Sequence, residues 1–232
     1  MICRIADLFV EVPEAGSMAP RCKEYRFSGT SSVDILVDES KYRYEKLPQN
    51  PDMVAYLDSG FQFYRQLLRF DGMMLHASAV AVGNRAYLFS GNCGVGKSTH
   101  THLWQETFGD IAEVFNDDKP ALRRLNGTWY AYGTPWCGKA GINRNRKVPL
   151  AGICFLKQSQ KNVIRRMLPR EAIQRVYSQT PHRFDSAEEL DLLLQQIEKL
   201  VLEIPVFELQ NKPEPEAVRL SYQTMYQAMQ EE

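Results

Sequence analysis

Gly91-Asn92-Cys93-Gly94-Val95-Gly96-Lys97-Ser98 satisfies the pattern G-x-x-x-x-G-K-[ST] at every position, and no other stretch constrains the fold so strongly. The pattern requires an apolar strand before the loop and a helix after it. Both flanks are present: Arg85–Ser90 is β-prone, and Lys97 to about Phe108 predicts a helix with Gly109 as its C-terminal stop. Glycines let backbone N–H groups curl round phosphate oxygens, and the helix N-terminus adds positive potential. The motif predicts nucleotide binding, with Lys97 bridging the outer phosphates and Ser98 placing its hydroxyl on Mg²⁺.

The flanking sequence extends this unit in both directions. Met74–Val82 and Arg85–Ser90 are β-prone runs separated by Gly83-Asn84, a two-residue hairpin signal. Pairing Val82 with Arg85 and continuing the register sets His76 opposite Gly91. There the imidazole can orient a carboxylate or contact a phosphoryl group, although a histidine in such a run also serves as a core residue. Ile111–Phe115 predicts a buried strand that ends at Asn116-Asp117-Asp118. Strand ends beside a phosphate loop are where α/β sheets place ligands. Two adjacent carboxylates can divide labour, one serving a metal and one accepting a hydroxyl proton. Asn-Asp-Asp-Lys-Pro is also good solvated-turn chemistry, and both readings stand at this point.

The remaining pattern predicts an α/β fold: a mixed sheet carrying the phosphate loop, antiparallel hairpins, and helices packed around it. Short strands at the N-terminus, one with Val33, Ile35 and Val37, are separated by loops at Pro13–Pro20 and Gly29–Ser32. Residues 1–48 are expected to form a β-rich lobe on a core domain of residues 49–232. Val54, Leu57, Phe61, Tyr64 and Leu68 recur at helical spacing within Asp52–Phe70. Asn126-Gly127 predicts a hairpin between Ala121–Leu125 and Thr128–Tyr132, and Ala151–Leu156 a further strand. Ser186 and Glu189 form a capping-box signature for a helix through Leu190, Leu194, Ile197 and Val201. A last helix from Pro215 turns Val218, Tyr222, Met225 and Met229 inward.

Charge narrows the function classes. With 28 basic and 28 acidic side chains the chain lacks the surplus of cations a dedicated nucleic-acid binder needs. Five scattered cysteines without a C-x-x-C pair predict reduced thiols in a cytoplasmic protein. No apolar run approaches the roughly 20 residues of a membrane span. His100 and His102 lie two apart on a helix and make a poor metal pair. Cys93 fills a permissive loop position near a helix N-terminus, which can lower a thiol pKa. Lys139, Arg144 and Arg146 lie in a Gly-rich loop, Gly133–Arg146, that either closes over a phosphorylated acceptor or is plain surface. Asn211-Lys212-Pro213-Glu214 imitates the guanine-reading N-K-x-D of GTPases, but it ends in Glu and no D-x-x-G follows the phosphate loop.

Taken together, Leu75-His76-Ala77-Ser78-Ala79-Val80, Gly91 to Thr99 and Asp117-Asp118 resemble the HPr kinase and phosphoenolpyruvate carboxykinase superfamily. The likeness continues more loosely through Thr134-Pro135-Trp136 to Phe207-Glu208-Leu209. It implies phosphoryl transfer from ATP with a divalent metal to a hydroxyl, serine above all, on a protein, peptide or metabolite. It implies that the loop through Thr99 holds ATP, that Asp118 with His76 faces the acceptor, and that Asp117 and Ser98 serve Mg²⁺. Assembly into homo-oligomers is a further implication. No E-x-R-G-type segment follows the aspartate pair, which argues against HPr itself as acceptor, and the chain is short for a full carboxykinase. The rival reading is a non-kinase module in which ATP binding or hydrolysis drives a regulatory or assembly change; it needs no proton acceptor such as Asp118 with His76.

Overall fold

A computed structural model of the chain describes residues 1–14, 18–43, 49–181 and 183–230. Residues 15–17 of the Pro13–Pro20 loop and the expected domain boundary at residue 48 lie outside the described residues. The N-terminal strands β1 (Ile2–Ile5) and β2 (Leu8–Glu11) pair antiparallel. After a four-residue helix α1 (Met18–Arg21), the short strand β3 (Ile35–Leu36) joins β2 in parallel. The strand expected around Val33–Val37 shrinks to these two residues, and Val33 stays on the surface.

Helix α2 (Pro51–Leu67) starts where Asn50 accepts a hydrogen bond from the Met53 N–H (3.1 Å) and Pro51 presets φ. Its buried face carries Val54, Phe63, Tyr64 and Leu67, while Leu57 and Phe61, expected inward, are half-buried. The stripe is turned because α2 is wedged between the N-terminal sheet and the main sheet, and both neighbours select which side chains are covered.

The main sheet contains β4 (Gly72–Met74), β5 (Ala77–Val82), β6 (Arg85–Ser90), β7 (Ala112–Asn116), β8 (Ala121–Leu125), β9 (Thr128–Tyr132) and β10 (Lys147–Gln158). The strand order is β4-β8-β9-β10-β6-β5-β7, with β12 (Val206–Asn211) also on β10 and β11 (Val163–Arg166) on β12. The run Met74–Val82 is not one strand. Leu75 and His76 interrupt it, because β4 pairs with β8 whereas β5 pairs with β6 and β7. The expected hairpin register holds from Val82↔Arg85 to Ala77↔Ser90. Only Gly83 of its turn takes a positive φ, 59°, the pattern of a II′ rather than a I′ turn. The Asn126-Gly127 hairpin has positive φ at both central residues, 50° and 83°, as its sequence predicts.

β6 is parallel to β10, β10 is parallel to β12, and β7 runs in the same direction through two antiparallel pairings. Their carboxyl ends at Ser90, Asn116, Gln158 and Asn211 therefore share one edge, the edge where open α/β sheets bind ligands. Helices cover both faces. Side chains of β6 alternate, with Leu88 facing α4 (Pro169–Ser178) and α5 (Ala187–Glu203). Tyr87 and Phe89 face α3 (Lys97–Phe108) and α6 (Pro215–Ala228), where Trp104, Val218 and Met225 are fully buried. Ser186 caps α5 by accepting from the Glu189 N–H (3.3 Å), but the buried stripe is Leu193, Ile197 and Leu200, and Leu194 is exposed. In α6, Val218 and Met225 are buried as expected, while Ala217, Ser221 and Ala228 complete the face and Tyr222 is half-buried. No helix among the described residues is long and apolar enough to cross a membrane.

Candidate active site

The phosphate-loop pattern lies between β6 and α3. Gly91, Gly94 and Gly96 take φ of 137°, 80° and 104°, values that a side chain disfavours. At Gly91 an added Cβ would also press on the Val95 side chain and the Leu156 carbonyl, at 3.2 and 3.3 Å. The Lys97 ammonium folds back over this turn and donates to the carbonyls of Gly91 (2.9 Å) and Asn92 (3.3 Å). Burial pulls the Lys97 pKa down, and the nearby Asp118 carboxylate partly opposes it. Ser98, half-buried in the first turn of α3, makes no side-chain hydrogen bond among the described residues; Thr99 is exposed and Cys93 sits exposed in the loop.

β7 delivers Asn116, Asp117 and Asp118 to the same edge. The fully buried Asn116 amide donates to the Thr134 carbonyl (3.1 Å), and its oxygen accepts from the Lys119 and Asp118 N–H groups (2.8 and 3.2 Å). This fixes the turn carrying the two aspartates. Asp117 accepts from the Gly138 N–H (2.8 Å). Burial, with a contribution from the neighbouring Asp118 charge, raises its pKa against the help of the backbone donors.

Asp118 has a different environment. His76, at the break between β4 and β5, brings Nε2 to 3.1 Å from one carboxylate oxygen. The other oxygen contacts the Lys119 ammonium, which also donates to the Tyr56 hydroxyl (2.7 Å) and lies 4.7 Å from the Tyr56 ring centre. Burial alone would raise the Asp118 pKa, but the His76 hydrogen bond and Lys119 prevail and hold it below the ordinary carboxylate value. The backbone locks the pair, since the Ala77 N–H donates to the Asp118 carbonyl (3.1 Å) and the Ser90 hydroxyl to the His76 carbonyl (2.8 Å). The two adjacent carboxylates thus have opposite pKa shifts, which suits two different roles.

A cleft of about 290 Å³ opens beside Asp118, lined among others by Arg21, Tyr56, Cys137 and Lys139. Arg21 comes from α1, 116 residues away from Cys137 in sequence, and donates to the Cys137 thiol (3.1 Å) with its guanidinium 5.0 Å from the Tyr56 ring centre. Neither Arg21 nor Lys139 has a carboxylate partner among the described residues. Of the three loop cations, Lys139 alone lines this cleft. Arg144 pairs with Glu24, three residues after α1 (2.8 Å), and Arg146 with Glu113 of β7 (3.3 Å), both at exposed positions. His100 is buried under α6, accepting from Trp104 Nε1 (3.2 Å). Lys119, Tyr56 and Arg21 are site residues that the sequence pattern does not mark, and Asn116 is marked there only as the strand end. Lys119 adjoins the aspartate pair and could have been found there; Tyr56 and Arg21 carry no local signal.

Among the described residues no three His, Cys, Asp or Glu side chains converge as a metal cage. Mg²⁺ does not require one, because it binds through one or two protein oxygens together with phosphates and water. Asp117 and Ser98 supply such hard oxygens, and a buried carboxylate with a raised pKa is a group that a cation would stabilise.

Neither models of known protein families nor curated protein sequences match this chain. Among solved structures, the Hpr(Ser) kinase/phosphatase from Coxiella burnetii aligns over 68% of this chain and 99% of its own, with 11% identity and a TM-score of 0.40.

Proposed function

We propose that this protein transfers the γ-phosphoryl group of ATP to a hydroxyl, serine on a protein, peptide or small molecule being the favoured acceptor. The observation that carries the reading is Asp118, held between His76 and Lys119, at the strand end beside the phosphate-loop lysine, Lys97. A module that only bound nucleotide would have no use for a carboxylate fixed in this way.

In this reading the loop N–H groups and Lys97 hold the polyphosphate, and Lys97 exchanges its contacts with the Gly91 and Asn92 carbonyls for phosphate oxygens. Ser98 and Asp117 would hold Mg²⁺, which when bound neutralises charge on the phosphate oxygens. Asp118 accepts the acceptor's hydroxyl proton as the new O–P bond forms and the bond to the ADP oxygen breaks. A loose transition state asks little basicity of this group, so an ionised carboxylate of lowered pKa can orient the hydroxyl and take its proton late. His76 fixes the carboxylate's direction, and Arg21 and Lys139 border the acceptor's approach.

The test is transfer of γ-labelled phosphate from ATP with Mg²⁺ into a host extract, resolving proteins, peptides and small molecules separately. A labelled species should form with the native protein. Lys97→Ala should lose both the labelled product and most of the nucleotide affinity. Release of free phosphate without any labelled acceptor would overturn the kinase reading in favour of a nucleotide-driven switch.

A further inference from the structure

A second and larger cleft, about 790 Å³, lies on the other side of the phosphate loop. Its walls are Gly94–Gly96 of the loop, Thr99 and His100 of α3, the Gln158–Gln160 turn after β10, and Asn211–Glu214 after β12. These are the carboxyl ends of three adjacent parallel strands, β6, β10 and β12, together with the start of the intervening helix. The segment set aside as a guanine reader because it ends in Glu therefore lies beside the phosphate loop, two strands over from it.

The wall is held in place by its own hydrogen bonds. Asn162 donates to the Glu214 carboxylate (2.6 Å) and accepts from the Lys212 N–H (2.9 Å). The Ser159 N–H donates to the Asn211 carbonyl (3.0 Å), and the Gln158 amide to the Gly94 carbonyl of the loop (3.2 Å). One Glu214 oxygen is thereby occupied, and the carboxylate keeps acceptor capacity for a ligand N–H.

We infer that this cleft seats the nucleoside end of the nucleotide, with the Glu214 carboxylate accepting from an N–H of the base. The inference rests on the proposed nucleotide site, and the geometry sets its direction. The γ-phosphoryl must face Asp118, which lies toward β7; the rest of the nucleotide then leaves the loop on the opposite side, toward β10 and β12. The volume falls within the roughly 300–1,000 Å³ of ordinary small-molecule sites. A carboxylate acceptor at this place discriminates between bases by their N–H donors, as a buried polar group does when a mismatched ligand leaves it unpaired.

Calorimetric titration of the whole protein with ATP, GTP and inorganic tripolyphosphate, all with Mg²⁺, tests this. Tripolyphosphate fills the phosphate loop but has no nucleoside. Glu214→Gln should raise the Kd of the preferred nucleoside triphosphate about tenfold, the scale of one charge-assisted hydrogen bond, and leave tripolyphosphate unchanged. Gln160→Trp, at an exposed position on the cleft wall, should have the same selective effect by filling the space without burdening the core. Equal losses for nucleotide and tripolyphosphate, or no loss in either variant, would overturn the inference while leaving the phosphate site standing. Failure of the native protein to bind any of the three would remove the nucleotide site itself, and the inference with it.

Discussion

Asp118→Asn separates chemistry from binding, and the structure supplies its expected size. Asparagine keeps the shape and can still accept from His76 Nε2, now 3.1 Å from the carboxylate. It loses the charge, and its NH₂ group faces the Lys119 ammonium, donor against donor. Loss of a positioned proton acceptor typically lowers the rate by about 10²–10⁴, or about 3–5 kcal/mol of barrier. The stability cost is smaller. Both the Asp118 and Lys119 side chains are 22% exposed, so the pair lies between a surface bridge and a buried one. Breaking it should cost about 1–2 kcal/mol, lowering Tm by about 2–8 °C in a domain of this size. Nucleotide affinity should not fall, because a negative charge near Lys97 has been removed. Single-turnover label transfer, nucleotide titration and thermal melts on one preparation check all three. Full transfer in the variant, or a parallel collapse of nucleotide affinity, would refute the assignment of Asp118.

Two further predictions concern groups whose burial works against their charge. Asp117→Asn should raise the stability of the ligand-free protein at neutral pH, since the native carboxylate's pKa is raised by folding and its ionised form is disfavoured there. The gain should be full above the folded-state pKa and vanish below the ordinary carboxylate range, and Mg²⁺ with nucleotide should stabilise the native protein more than the variant; a variant less stable at pH 7 would contradict this. His100, pushed down to about 4 by burial, protonates more readily in the unfolded chain, whose histidine pKa is about 6.5. Its contribution to stability is full above about 6.5 and is lost as pH falls through about 4, a swing of about 3 kcal/mol. Urea unfolding of His100→Gln across this window should show a flatter pH dependence than the native protein, and parallel curves would reject the assignment.

Much of the site could be read from sequence because it depends on short-range patterns. The loop's glycines, the Gly83-Asn84 turn and the strand ending at Asn116 each lie within a few residues of what they specify, and hairpin register carries the argument from Arg85 to the Ala77–Ser90 pair, where it stops one residue short of the expected His76–Gly91 pair. Helix faces were less legible. Leu57, Phe61 and Leu194 keep helical spacing, yet α2 has two neighbouring layers and α5 is turned by its contacts, so period alone did not select the buried side.

The sequence alone determined the strand–loop–helix unit, the Gly83-Asn84 hairpin that leads up to His76, and the aspartate pair, because backbone turn chemistry and side-chain alternation are local. Tertiary structure decided what surrounds Asp118. Tyr56 reaches it from α2, 62 residues away, and Arg21 reaches the same cleft from α1. It also tied Arg144 and Arg146 to Glu24 and Glu113, away from the cleft, and set Asn211–Glu214 beside the loop through the pairing of β6, β10 and β12. Such contacts join segments whose separation in sequence carries no periodic signal, and only the packing of layers around the long strand β10 brings them together.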